Sequence, residues 1–159
     1  MALFKDVIVT EAISIRTTPG NIFNYLTSIV DDDSYKALHD ANNVSFRWLK
    51  GQPWVVGSIA YAEHYLHGEL HKFEFIVTKV VPNRHIEYMP TSRLMRRFFS
   101  RKEFVIEEDD DTCLFTTSET LRVGWIMRTF FKKHLENGLS STRRHMREEG
   151  ENLKRILES

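Results

Sequence analysis

Two residues in the stretch Leu135 to Leu157, LENGLSSTRRHMREEGENLKRIL, have the types and spacing for chemistry. His145 and Glu149 stand four apart, which on a helix sets an imidazole beside a carboxylate on one face. Such a pair can hold one ion or close into a buried hydrogen bond. Its position makes it unusual. Steps of four and three trace an apolar seam through Leu135, Leu139, Thr142, Met146, Glu149, Leu153 and Ile156, and Glu149 interrupts it. The other glutamates of the stretch have a basic residue four positions away, whereas Glu149 has His145. A carboxylate on an apolar seam must be paired, protonated or metal-bound, because a bare buried charge is too costly.

Other polar residues could join it. Glu63 lies on a strand whose one face reads Ile59, Tyr61, Glu63, Tyr65, His67 and whose other face reads Ala60, Ala62, His64, Leu66. Period-two alternation leaves open whether Glu63 points to the core or outward to pair with Lys72 on the next strand. Tyr61 and Tyr65 share its face and are candidate substrate contacts. His39 lies at the end of a short helix and, read locally, is a surface histidine favoured by the helix dipole. His71 faces with Phe73 and Phe75 and is a reserve ligand, while alternation assigns no role to His64, His67 or His85.

The elements that must position these residues follow in order. A strand over 7–17 has an expected irregularity near Glu11. A helix over 19–29 opens on Thr18 and Pro19, and a second over 34–41 is capped from the run Asp31-Asp32-Asp33-Ser34. Strands follow at 44–49, 57–68, 70–81, 85–89, 101–107 and 112–123, with a loop at 92–100, and a long helix runs over 125–157. A run of strands between helices predicts an α+β fold: a seven-stranded antiparallel sheet wrapped around the long C-terminal helix, with two short helices, as one domain over 1–159. The space between sheet and helix suits an apolar ligand, with Phe73 and Phe75 on its wall.

Composition narrows the function. Twenty-two basic residues balance twenty-two acidic ones, so no global field favours nucleic acid. Cys113 is the one cysteine, which excludes an internal disulfide and a cysteine zinc cluster. No signal-peptide pattern and no uncharged apolar run of ~18 residues is present, so the expectation is a cytoplasmic protein. The tract SRLMRRFFSRK over 92–102 mixes arginines with aromatic residues, and GWIMRTFFKK over 124–133 repeats the flavour. Contact with a membrane or an acidic partner is one reading; a lid over the cavity mouth, its arginines solvated, is preferred.

The segments VTEAISIRTTPGNIFNYL, VVPNRHIEY and HMREEGENLKRILE, with the Gly57 strand, resemble the START/Bet v 1-like helix-grip superfamily, also called SRPBCC or polyketide cyclase-like. Within it, YKALHDANNVSFRWLKG, GSIAYAEHYLHGELHKFEFIVTKVVPNRHIEY and RRHMREEGENLK are similar to the zinc-dependent diacetylphloroglucinol hydrolase branch. That resemblance implies zinc held by His39, Glu63, His145 and Glu149, with Asn42 near substrate and one of the two glutamates handling the proton. It implies hydrolysis of a carbon–carbon or acyl bond in a small hydrophobic, aromatic or polyketide-like molecule, the zinc activating water. The alternative is a non-catalytic carrier or sensor of a hydrophobic ligand, with His145 and Glu149 as a buried hydrogen-bonded pair.

Overall fold

The computed structural model describes residues 2–159. Strand β1 (Phe4–Ile15) leads to helices α1 (Pro19–Thr27) and α2 (Asp32–Leu38). Then come β2 (Asn43–Lys50), β3 (Ile59–Leu66), β4 (Glu69–Val81), β5 (His85–Pro90), β6 (Phe99–Asp109) and β7 (Thr112–Gly124). Two helices close the chain, α3 (Trp125–Phe130) and α4 (Lys132–Glu158). The strands form one antiparallel sheet in the order β1-β7-β6-β5-β4-β3-β2, folded against α4 as the pattern predicts.

Local chemistry explains the turns. His67 and Gly68 both have positive φ, the two-residue hairpin geometry that suits strand twist, and they lock Leu66 opposite Glu69. Pro82 and a left-handed Asn83 turn β4 into β5, closed by Arg84 N–H donating to Val81 C=O at 3.0 Å. Asp31 caps α2 by accepting from Ser34 N–H at 2.9 Å, while the Ser34 hydroxyl accepts from Asp31 N–H, a reciprocal box. Helix α2 therefore spans Asp32–Leu38 rather than 34–41, and His39 becomes its C-terminal boundary residue.

Two further expectations need correction. Pairing of β1 with β7 runs without a register shift, so no irregularity stands at Glu11. Glu11 takes its regular inward place because Arg143 and Arg147 of α4 reach its carboxylate at 3.7 and 3.3 Å. The expected single helix is two. Phe131 leaves helical geometry at φ −122°, ψ 35°, after a Thr-Phe-Phe run of modest helix formers.

The core lies between the inner sheet face and the helices. Phe46, Trp54, Phe75, Tyr88, Phe104 and Phe115 form a chain of ring contacts along it. Trp54 sits at φ 60°, a costly conformation for a bulky residue, held by burial of the indole and by its N–H donating to Ile29 C=O at 2.9 Å. Helix α4 packs on β1 at Gly150, where a Cβ would lie 3.3 Å from Ile13. At Gly138, nearer the start of α4, a Cβ would point into open space, with nothing within 4 Å. These glycines make opposite predictions in urea unfolding. Gly138→Ala raises stability by about 0.5–1 kcal/mol through helix propensity. Gly150→Leu lowers it by about 1–3 kcal/mol through overpacking.

Candidate functional site

A cavity of about 1140 Å³ lies between the inner sheet face and α4. Its walls are mainly apolar, with Leu26, Phe46, Trp54, Phe73, Phe75 and Phe104 among them, and Phe73 and Phe75 stand where the sequence places them. One region is ionic. Lys102 of β6 and Glu119 of β7 face each other across the strand pair, both pointing inward, with Nζ 3.4 Å from Glu119 Oε1. The same Nζ lies 3.7 Å from Glu149 Oε2 on α4. Glu149 Oε2 in turn accepts from His145 Nε2–H at 3.0 Å. Asn42 donates its amide to His145 Nδ1 at 3.2 Å, which sets the Nε2–H tautomer. The seam anomaly is thus a paired carboxylate, tied to a lysine on the sheet as well as to its helical neighbour.

The electrostatics follow. Burial pushes the Glu149 carboxyl up, but Lys102 and the His145 hydrogen bond outweigh it and hold the group well below the usual carboxylate range. Burial opposes charge on Lys102, yet Glu149, Tyr88 and Glu119 raise its pKa well above that of an ordinary lysine. Tyr88 beside it is pushed up to about 12, chiefly by burial. His64 of β3 stacks on His145 with ring centroids 5.7 Å apart, and Tyr35 Oη lies 3.4 Å from its Nδ1. Burial first, then His145 and Lys102, lower its pKa to about 3, so it is a neutral imidazole at the cavity wall.

The sheet splits the expected metal set. Ala60 and Ala62 are fully buried, so β3 turns Ala60, Ala62 and His64 inward. Glu63, Tyr61 and Tyr65 lie on the opposite, outer face. There Glu63 accepts from Tyr61 Oη at 2.7 Å, sits in register with Lys72, and Arg47 stacks 4.5 Å over the Tyr61 ring. Glu63 therefore cannot share an ion or a proton with Glu149 in this arrangement, and the two tyrosines do not touch the cavity. His39 is buried but sits behind His145, its Nε2 3.1 Å from Glu148 Oε2. Asn42 bridges the two histidines, 3.2 Å from each, and lies outside the cavity lining.

The expected His39, Glu63, His145 and Glu149 zinc set does not fit as a unit. The His39 and His145 rings stack at 5.4 Å and 17°, and the Asn42 amide nitrogen already stands 3.2 Å from a ring nitrogen of each. Each Nε2 already meets a carboxylate, and the Lys102 ammonium neutralises Glu149. Elsewhere, on the outer sheet face, His85, Glu87 and Glu103 bring ligand atoms within 4.8 Å of one another, with Arg101 Nε 3.5 Å from Glu103.

Sequence reasoning passes over Lys102, Glu119 and His64. It groups Lys102 with the solvated arginines of 92–102, yet alternation with Phe104 and Ile106 along β6 marks it as inward. His64 is retrievable from the hairpin, since a two-residue turn at His67-Gly68 pairs His64 with His71 and Ala62 with Phe73.

No protein-family model matches the chain, and no curated protein matches it. Solved structures do. The Aha1 dimer from Colwellia psychrerythraea is 20% identical, with 95% of this chain and 96% of that chain covered and a TM-score of 0.62. Ginseng major latex-like protein 151 from Panax ginseng is 12% identical, with 98% and 99% covered and a TM-score of 0.71. Norcoclaurine synthase from Thalictrum flavum, solved with dopamine and hydroxybenzaldehyde, is 9% identical, with 97% and 87% covered and a TM-score of 0.71. At these identities the likeness establishes the Bet v 1-like helix-grip fold and does not reach the zinc hydrolase branch.

The network makes two predictions. Removing the Glu149 charge leaves Lys102 with Glu119 alone, so Glu149→Gln lowers stability at neutral pH by about 1–3 kcal/mol in denaturant unfolding. His64 has a folded pKa of about 3 against 6.5 in the unfolded chain, so the unfolded state takes up the extra proton between those values. Stability contributed by neutral His64 is full above pH 6.5 and falls as pH drops toward 3. His64→Leu flattens that fall, by up to about 1.4 kcal/mol per pH unit, in unfolding curves recorded across the window.

Proposed function

We propose that this protein binds a small, largely apolar, aromatic molecule between its sheet and α4, as a carrier or sensor. The observation that carries the reading is the cavity itself: about 1140 Å³ within apolar walls, around one buried ionic cluster. Such a site gains affinity from apolar burial and orientation from few polar groups. At the cluster one ammonium faces two carboxylates, Glu119 and Glu149. The local excess of acceptors favours a ligand whose polar end donates, such as a phenol or an amine, over a carboxylate. The norcoclaurine synthase of the same fold, solved with two aromatic molecules, supports the ligand class.

Calorimetry with naphthol and naphthoate as probes tests this. Naphthol is expected to bind saturably at one site and at least tenfold more tightly than naphthoate. Leu139→Trp, which narrows the helix side of the cavity, weakens binding while leaving the melting temperature near that of the parent. Absence of saturable binding, or binding indifferent to Leu139→Trp, refutes the reading.

A second reading, metal-dependent hydrolysis of such a ligand, draws on two imidazole–carboxylate pairs set side by side: His39 with Glu148 at 3.1 Å and His145 with Glu149 at 3.0 Å. Glu148 would then stand where the resemblance implies Glu63. Metal content by mass spectrometry of untagged protein decides it. Stoichiometric zinc that is lost in Glu149→Ala supports hydrolysis, whereas metal-free protein with no gain in stability on adding zinc leaves the carrier.

A further inference from the structure

We propose that the protein docks on an anionic lipid bilayer through the face that borders the cavity mouth. Two segments far apart in the chain build this face. One is the turn before β6, where Met95–Arg97 form a 3₁₀ turn. The other is α3 with the start of α4. They meet because β6 and β7 are neighbours: Arg122 N–H donates to Phe98 C=O at 2.7 Å, just before α3 begins beyond Gly124.

The apolar content is exposed rather than packed. Leu94, Phe98, Ile126 and Phe130 each expose at least 60% of their surface, and Phe131 exposes 54%. A soluble monomer rarely leaves this many large apolar groups together without a partner. Along these two segments, as far as His134, the charge is of one sign. Arg93, Arg96, Arg97, Lys132 and Lys133 are exposed on the same two segments, and residues 91–102 and 124–134 contain no acidic residue. Aromatic groups that can enter the headgroup region, ringed by lysines and arginines, match an anionic bilayer surface. A second copy of the chain fits less well. A two-fold interface would set this basic patch against itself, and like charges oppose that contact.

Location links the patch to the cavity. Met95 and Phe98 of one segment and Met127 and Leu135 of the other line the cavity, with His67 and Glu69 of the β3–β4 hairpin completing its exposed rim, so the patch borders the mouth. A docked molecule exposes its cavity to the bilayer rather than to water, a direct route for an apolar ligand. The arginines of 92–102 are exposed and Met95 and Phe98 line the cavity, in keeping with the expected lid; on docking, the exposed surfaces of Leu94 and Phe98 enter the bilayer.

Co-sedimentation with phosphatidylcholine vesicles, with and without phosphatidylglycerol, tests the proposal in the absence of any cavity ligand. Binding to the anionic vesicles is expected to exceed that to neutral ones by at least tenfold and to fall at high salt. Phe98→Ser/Phe130→Ser loses binding tenfold or more, and Arg93→Gln/Arg97→Gln loses roughly fivefold per cation removed. Unchanged melting temperatures show that both variants fold. Equal binding to the two vesicle types, or none, overturns the proposal. So does a dimer by sedimentation equilibrium that Phe98→Ser/Phe130→Ser dissolves, which assigns the patch to self-association.

Discussion

The interaction on which the rest depends is the burial of Glu149 against Lys102. Two charges withdrawn from water cost more than their attraction returns unless other groups share the load. Here Glu119 takes one side of the ammonium and His145 takes the carboxylate. Asn42 holds His145, and His39 and Glu148 close the far side. One cluster therefore ties two strands, the long helix and the loop after α2. It also sets what the cavity can accept, since the charged groups a ligand meets there are already engaged in ion pairs.

Helix α4 is held close to the sheet at one end and spaced from it at the other. Near Gly150 and Ile13 the backbone approaches the sheet as nearly as a residue without a side chain permits. Toward Leu135 and Gly138 the helix lines the cavity, and a Cβ at Gly138 would meet nothing within 4 Å. Large rings of the sheet, Phe73, Phe75 and Phe104 among them, line this cavity. The break at Phe131 belongs to this arrangement. It lets α3 fold over the end of β7 instead of continuing the axis of α4, and so brings a second aromatic segment beside the turn that precedes β6.

How much of this was legible in the residues depends on the kind of information asked of them. Order and type of elements follow from local rules: period two in the strands, caps at Thr18 and Asp31, a positive-φ hairpin at His67-Gly68 and a proline–asparagine turn at Pro82-Asn83. The anomaly at Glu149 was also legible, because a four-three seam carries its own expectation of what belongs there. The site's membership was legible only by joining strands through the register of the His67-Gly68 hairpin, which alternation along one strand does not reveal. Glu63 and His64 are neighbours in sequence, and which of them reaches the cavity depends only on which face of β3 the hairpin turns inward. A shift of one residue exchanges the faces completely.

The sequence by itself determined the order and type of most elements, the inward stripe of α4 and the pairing of His145 with Glu149, since each rests on spacing within one element. Only the tertiary structure decided that Lys102 is the charge answering Glu149, that Glu63 stands outside, and that two aromatic basic segments share one face. Those facts join residues on different elements, and the contacts that create them come from strand register and helix placement. The physical reason is the same in each case. Periodicity says which residues share a face of one element, while the burial free energy of the assembled chain selects which face is inside and what it meets.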